Sequence, residues 1–179
     1  MQINNQIDTS GGGNGLYLDS RDIKDKAMEG IKVRLYGDAQ MGHSYFQLKE
    51  DGKKTVVRSE AFPEMVNPTE GFNPGEVQKP SACFYVAAWN YETEAPCLLT
   101  LDKVALINGV IAVNDDPDLK DATEYDFKMT YDEKASPQDK YKVIRLDASP
   151  LTADQKKELK AFAEDLDLEA YAAGEDLPF

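Results

Sequence analysis

Aromatic and cationic side chains recur together in this chain, and these are the residue types that bind a flexible polyanion carrying flat, stackable groups. Residues 31–36 alternate apolar and polar, so a half-buried strand would place the two cations Lys32 and Arg34 on its open face. Each ring could instead pack in the core, and each cation could lie on a solvated strand face. The candidate binding residues are Lys32, Arg34, Tyr36, Tyr45, Lys49, Lys53, Lys54, Arg58, Tyr85, Trp89, Tyr91, Lys128, Lys140, Tyr141 and Lys142.

The C-terminal end is a second candidate site. Six acids and no base occur from residue 164 onward, and the last three residues are Leu, Pro and Phe. A terminal Phe can fill an apolar pocket while its α-carboxylate pairs with a Lys or Arg of a partner, and nearby acids steer the encounter. The alternative is a solvated end with no partner. The predicted partner-binding residues are Glu175, Asp176, Leu177, Pro178 and Phe179.

The net charge of −13 opposes the binding of a polyanion, because phosphates are bound through Lys and Arg. The charge is distributed unevenly, since residues 1–60 contain nine bases and nine acids. A local cationic groove is therefore compatible with the composition, although the composition does not require one.

Chemistry of other kinds has little support in the sequence. Cys83 and Cys97 are the two cysteines and His43 is the single histidine, so neither a tetrahedral zinc site nor a disulfide framework is expected. The acidic run at residues 115–118 lacks the Gly and the terminal Glu of a calcium loop, and the glycines at 11–15 lack the Gly-Lys-Ser/Thr of a phosphate loop. We expect no metal, no cofactor and no catalytic residues.

Short strands with one intervening helix dominate the pattern. Alternation or apolar runs predict strands at 31–36, 44–49, 55–58, 82–91, 97–101, 125–131 and 140–146, and helical spacing predicts a helix from Asp102, as its cap, to about residue 113. Four prolines between 62 and 80 predict an excursion without regular structure. Phe46, Phe84 and Phe127 are assigned to the core. The fold class is mainly β, an OB-fold-like Greek-key barrel with one internal helix, a C-terminal helix and an acidic tail.

The same pattern divides the chain into four parts. Residues 1–30 are expected to be a flexible lead-in, 31–148 the barrel, 149–168 the C-terminal helix and 169–179 the acidic tail. No run is apolar enough to span a membrane, and the first ten residues lack the pattern of a signal peptide. We therefore expect a cytoplasmic protein.

Two resemblances support a specific function. The end, Asp176-Leu177-Pro178-Phe179 after Glu175, resembles the tail tip of bacterial single-stranded-DNA-binding proteins, although the Ala-Ala-Gly at 172–174 shortens the acidic run. The body, from about Tyr45 to Leu146, resembles the OB-fold single-stranded-DNA-binding proteins of tailed bacteriophages. Spaced pieces carry this second resemblance, among them Phe46-Gln47-Leu48-Lys49, Trp89-Asn90-Tyr91-Glu92-Thr93, Glu124-Tyr125-Asp126-Phe127 and Lys140-Tyr141-Lys142-Val143.

These resemblances imply sequence-tolerant binding of single-stranded DNA during phage replication, recombination or repair in the host cytoplasm, without a cofactor. They also imply recruitment of replication or recombination proteins through the C-terminal tip. A homodimer is compatible with the sequence, and the acidic tail could occupy the DNA groove when no strand is bound. Two other classes stay open: an acidic DNA mimic that inhibits a DNA-processing enzyme, and a virion or scaffold protein whose barrel serves assembly.

Overall fold

A computed structural model describes residues 15–67 and 73–177 of the chain. Within these ranges the protein is mainly β, with one curled, half-barrel sheet and a few helices. The strands are β1 (Tyr17–Asp19), β2 (Ile31–Leu48), β3 (Lys54–Ser59), β4 (Val66–Asn67), β5 (Val77–Asn90), β6 (Ala95–Leu101), β7 (Tyr125–Tyr131) and β8 (Tyr141–Asp147). The helices are α1 (Ser20–Lys26), α2 (Val104–Asn114), α3 (Ala153–Asp165) and α4 (Leu168–Ala172), with a 3₁₀ turn at Ala122–Glu124.

The long strand β2 organises the sheet. It pairs antiparallel with β5, with β7 through its first residues and with β3 through its last, and the sheet order is β1-β6-β5-β2-β7-β8. The register with β5 shifts between Tyr36 and Gln40, where Gly37 has a φ of 70° that favours glycine. Such bulges bend and twist a strand, so β2 can take part in both halves of the curled sheet.

The two faces of the sheet are covered by different helices. The inner face carries alternate residues of β2, such as Val33 and Leu35, which pack with α2 in the main core. The outer face carries Cys83 and Tyr85 of β5 and Leu98 of β6, which pack with Ala172 of α4 and its neighbours in a second cluster. The strand β5 is therefore buried on both sides, as its almost continuous apolar sequence predicts.

The N-terminal part of the barrel is ordered where a flexible lead-in was expected. Residues 17–26 form β1 and α1, and Leu18 and Ile23 are buried in the main core. The strand β1 pairs in parallel with β6, and Asp19 caps α1 with a capping box. The expectation was wrong for these residues because their apolar side chains find partners far away in sequence. Residues 1–14 lie outside the described part of the chain.

Several expectations about single elements also need correction. The helix α2 begins at Val104, and Asp102 does not cap it but accepts a hydrogen bond from the hydroxyl of Ser20. The proline-rich stretch contains β4, which pairs in parallel with the start of β5, and β5 begins at Val77; residues 68–72 lie outside the described part. Phe84 and Phe127 are buried as predicted, whereas Phe46 is 49% exposed.

The C-terminal region is folded onto the barrel. Thr152 caps α3 with a capping box, and Leu159 and Ala172 are fully buried. The first residues of the expected tail therefore belong to the helix α4. No helix within 15–67 and 73–177 has both the length and the apolar character that crossing a membrane requires.

Candidate nucleic-acid interface

A buried carboxylate, Asp126, joins the barrel to the C-terminal region. It has no exposed surface, and the Lys32 ammonium lies 2.9 Å and the Arg34 Nε 2.6 Å from its oxygens. The Tyr91 hydroxyl and the Ser149 backbone N–H each donate to it over 2.9 Å. Arg34 also donates to the Ser149 carbonyl over 2.8 Å. The predicted binding residues Lys32, Arg34 and Tyr91 therefore have a structural role that the sequence did not reveal.

The protonation states of this network follow from its contacts. Burial opposes the charged form of Asp126, but hydrogen bonds led by Lys32 and the Ser149 N–H lower its pKa below the usual value. Burial, and then the hydrogen bond to Asp126, raise the pKa of Tyr91 to about 12. At neutral pH the Tyr91 hydroxyl is therefore a donor to a carboxylate that is charged.

A band of lysines begins beside this network on the outer side of the sheet. Lys32 lies directly opposite Lys128 across β2 and β7, and Lys142 lies opposite Thr130 across β7 and β8. Residues opposite one another in an antiparallel pair share a face, and alternate residues along a strand return to it. Lys32, Lys128 and Lys142 therefore lie on the same face as Asp126.

The helix α3 extends this band. A cleft of about 450 Å³ lies between α3 and β2. The α3 lysines are not among the binding residues predicted from the sequence, although their i, i+1, i+4 spacing places them on one side of a helix. The residues that line the cleft are Arg34, Tyr36, Leu151, Lys156, Lys157, Leu159 and Lys160. We use the name basic face for Lys32, Lys128, Lys142, Lys156, Lys157 and Lys160.

Two of the predicted stacking rings are not available at the surface. Trp89 and Tyr85 are each 1% exposed, and Tyr85 packs edge-on against Tyr171 with ring centroids 5.2 Å apart. A base cannot stack on a ring that is covered on both sides, so neither residue can contact a ligand in this conformation. The prediction failed because α3 and α4, which cover this face of β5, come some 70 residues later in the chain.

Other predicted residues are scattered over the barrel. Tyr141 is half-buried, packs against Tyr131 with centroids 4.9 Å apart and donates to the Ser20 carbonyl. Lys140 lies 5.8 Å from the centroid of the Tyr131 ring. Lys49, Lys53 and Lys54 are exposed around the β2–β3 turn, and Tyr45 is half-buried in the same hairpin.

Arg58, another predicted binding residue, holds the C-terminal region. Its guanidinium lies 3.9 Å from the centroid of the Tyr171 ring and donates to the carbonyls of Tyr171 and Glu175 over 2.9 and 2.8 Å. The same group lies 3.3 Å from a carboxylate oxygen of Asp176. Leu177 packs on the second cluster. Of the predicted partner-binding residues, Pro178 and Phe179 lie outside the described part.

Fold and surface together define a mainly β half-barrel with a basic face on an acidic protein. Comparison with known proteins adds no relative, since no family model, no curated protein and no solved structure matches the chain. Among the described residues, no three His, Cys, Asp or Glu side chains are grouped closely enough to hold a metal ion.

Proposed function

We propose that this protein binds single-stranded DNA with little sequence preference, in phage DNA replication, recombination and repair within the cytoplasm of a bacterial host. The observation that carries the proposal is the basic face. Six lysines lie along one side of a protein whose net charge is −13. Two of them have acidic partners, Asp126 for Lys32 and Glu164 for Lys160. A local cluster of cations on a protein that is negatively charged overall favours a polyanionic ligand at that surface.

The architecture supports this proposal. We propose that β2, β5, β6, β7 and β8 are the five strands of an OB-fold-like, partly open barrel, with α2 between the third and the fourth. The strands β1, β3 and β4 are then additions to it. Barrels of this kind bind oligonucleotides on the face of their second and third strands, which are β5 and β6 in this numbering.

In this protein the face of β5 and β6 is covered by helices, so the proposed DNA path runs elsewhere. The helices α3 and α4 pack over the outer side of β5 and β6, where Tyr85 and Trp89 are buried. We therefore place the phosphates on the basic face, in the cleft between α3 and β2 and across Lys128 and Lys142. A path through the covered face would require the C-terminal region to move away.

A binding titration tests the proposed function. We expect a fluorescently labelled oligo-dT to bind at low salt and the affinity to fall steeply as salt rises, because phosphate binding releases counterions. Duplex DNA of the same length serves as the comparison and should bind more weakly. Absence of binding to oligo-dT at low salt, by a protein shown to be folded, would refute the proposal and favour the acidic DNA mimic.

We also propose that the C-terminal tip recruits replication or recombination proteins. The support is the tip's resemblance to bacterial tails, together with the position of Asp176 and Leu177. Both lie against the barrel, at Arg58 and at the second cluster. A partner that takes the tip must therefore compete with these contacts, and so must DNA if it uses Arg58.

Removal of residues 175–179 should separate the two activities. We expect the truncated protein to bind oligo-dT as well as the full chain or up to about tenfold more tightly, since two acids that lie near Arg58 are lost. We expect it to lose binding to a purified bacterial protein that recognises the tips of single-stranded-DNA-binding proteins. Unchanged binding of that protein after truncation would rule out the tip as its site.

A further inference from the structure

Phe46 is an exposed aromatic residue in the middle of a regular hairpin. It lies opposite Val56 of β3 and opposite Gln78 of β5, so its backbone is paired on both sides. Its exposed fraction is 49% and that of Val56 is 42%, which makes the pair an apolar patch on the surface. The ring therefore contributes little to the core, unlike Phe84 and Phe127.

The pairing of the hairpin shows which face Phe46 occupies. The extra residue at the register shift near Phe46 belongs to β5, where Gln78 and Ser81 are three positions apart, whereas β2 and β3 keep a regular register. Phe46 shares a face of the hairpin with Ser44 and with Arg58, which pairs opposite Ser44. This is the outer face, because the Ser44 hydroxyl lies 3.1 Å from the sulfur of Cys83 in the second cluster.

Cations surround the patch. Lys54 pairs opposite Leu48 at the end of the hairpin, on the same face as Phe46, and Lys49 and Lys53 lie exposed in the adjoining turn. From Tyr45 to Arg58 the hairpin contains four bases and two acids, in a protein whose total charge is strongly negative. A flat apolar ring beside ammonium groups matches a nucleotide, which offers a base to the ring and a phosphate to the cations.

We infer that Phe46 is a stacking platform for bases of single-stranded DNA, and that Lys49, Lys53 and Lys54 hold the adjoining phosphates. This inference rests on the proposed function and adds a second contact region, on the β2–β3 hairpin, to the basic face. Stacking on Phe46 replaces the role that the sequence assigned to Tyr85 and Trp89. Because every base has a flat face, such a contact is tolerant of sequence.

Two substitutions and a matched control test the inference. We expect Phe46→Ala to weaken oligo-dT binding about tenfold, the scale of losing one stacked base. Phe62→Ala should leave the affinity unchanged; Phe62 is also exposed, at 61%, but its ring packs against His43 on the other face of the hairpin. In Phe46→Trp the new indole should be quenched by oligo-dT, while the buried Trp89 contributes a constant background.

The outcomes separate the inference from the proposed function. Wild-type affinity in Phe46→Ala, with no change of emission in Phe46→Trp, overturns the stacking role and leaves the proposed function standing. Loss of self-association in Phe46→Ala without loss of DNA affinity also overturns it, because the patch would then join two copies of the chain. A folded wild-type protein that binds no oligo-dT overturns both.

Discussion

Replacing Asp126 with Asn is expected to lower the free energy of unfolding by about 3 kcal/mol, the scale for removing one partner from a buried ion pair. The Asn side chain keeps the size of the carboxyl group but has no charge to balance Lys32 and Arg34, which lie 2.9 and 2.6 Å from the present oxygens. An amide NH₂ group, which is a donor, also replaces one of the two carboxylate oxygens. It would face another donor, either the N–H of Ser149 or the guanidinium of Arg34. Urea denaturation at pH 7 measures the change.

A matched control is Asp118→Asn, which makes the same chemical change at an exposed acid. We expect the control to alter the free energy of unfolding by less than about 0.5 kcal/mol. Equal free energies of unfolding for the two variants would show that the charge of Asp126 does not stabilise the fold through Lys32 and Arg34.

The pH dependence of the same network has a defined sign. The pKa of Asp126 is lowered in the folded protein, so its ionised form stabilises the fold above the usual pKa of an aspartate, about 3.9. This contribution is lost as the pH falls from that value through the lowered folded pKa. The difference in stability between wild type and Asp126→Asn should therefore shrink on acidification below about pH 4.

Much of the fold was predictable from local pattern. The alternation in residues 31–36 and 125–131 correctly predicted strands, and the apolar run at 82–91 correctly predicted a strand covered on both faces. A strand covered on both faces is incompatible with the prediction that Tyr85 and Trp89 bind DNA at the surface. The structure agrees with the covered strand, since both rings are buried. Phe46 was placed wrongly because its pattern is that of a core position, whereas in the fold it lies outside both buried clusters and is 49% exposed.

The parts of the site that sequence did not reveal depend on contacts between distant residues. Ser149 lies 23 positions after Asp126 and 115 after Arg34, and no spacing rule links them. The cleft beside α3 likewise exists because Leu159 packs onto the sheet and brings the α3 lysines beside Arg34. The sequence identifies the cations that are candidates for binding, but only tertiary packing shows which of them share a surface.

Neutralising two lysines of α3 is expected to weaken DNA binding at the basic face. We expect Lys156→Gln/Lys160→Gln to bind oligo-dT about tenfold more weakly at low salt, because two phosphate contacts are lost. Lys160 also pairs with Glu164 at 3.6 Å. The matched control, called the α2 control, is Lys103→Gln/Lys120→Gln. Lys103 is the residue before α2, and Lys120 lies in the loop that follows this helix. This control removes as much positive charge as Lys156→Gln/Lys160→Gln does. It also removes one ion pair, between Lys103 and Asp102 at 3.1 Å.

The most direct measurement is the slope of the logarithm of oligo-dT affinity against the logarithm of salt concentration for these two variants and the wild type. Each phosphate contact with a single strand contributes about 0.7 to that slope. We expect Lys156→Gln/Lys160→Gln to reduce its magnitude by about 1.4 and the α2 control to leave it unchanged. Equal slopes for both variants and the wild type would contradict the binding of DNA at the basic face.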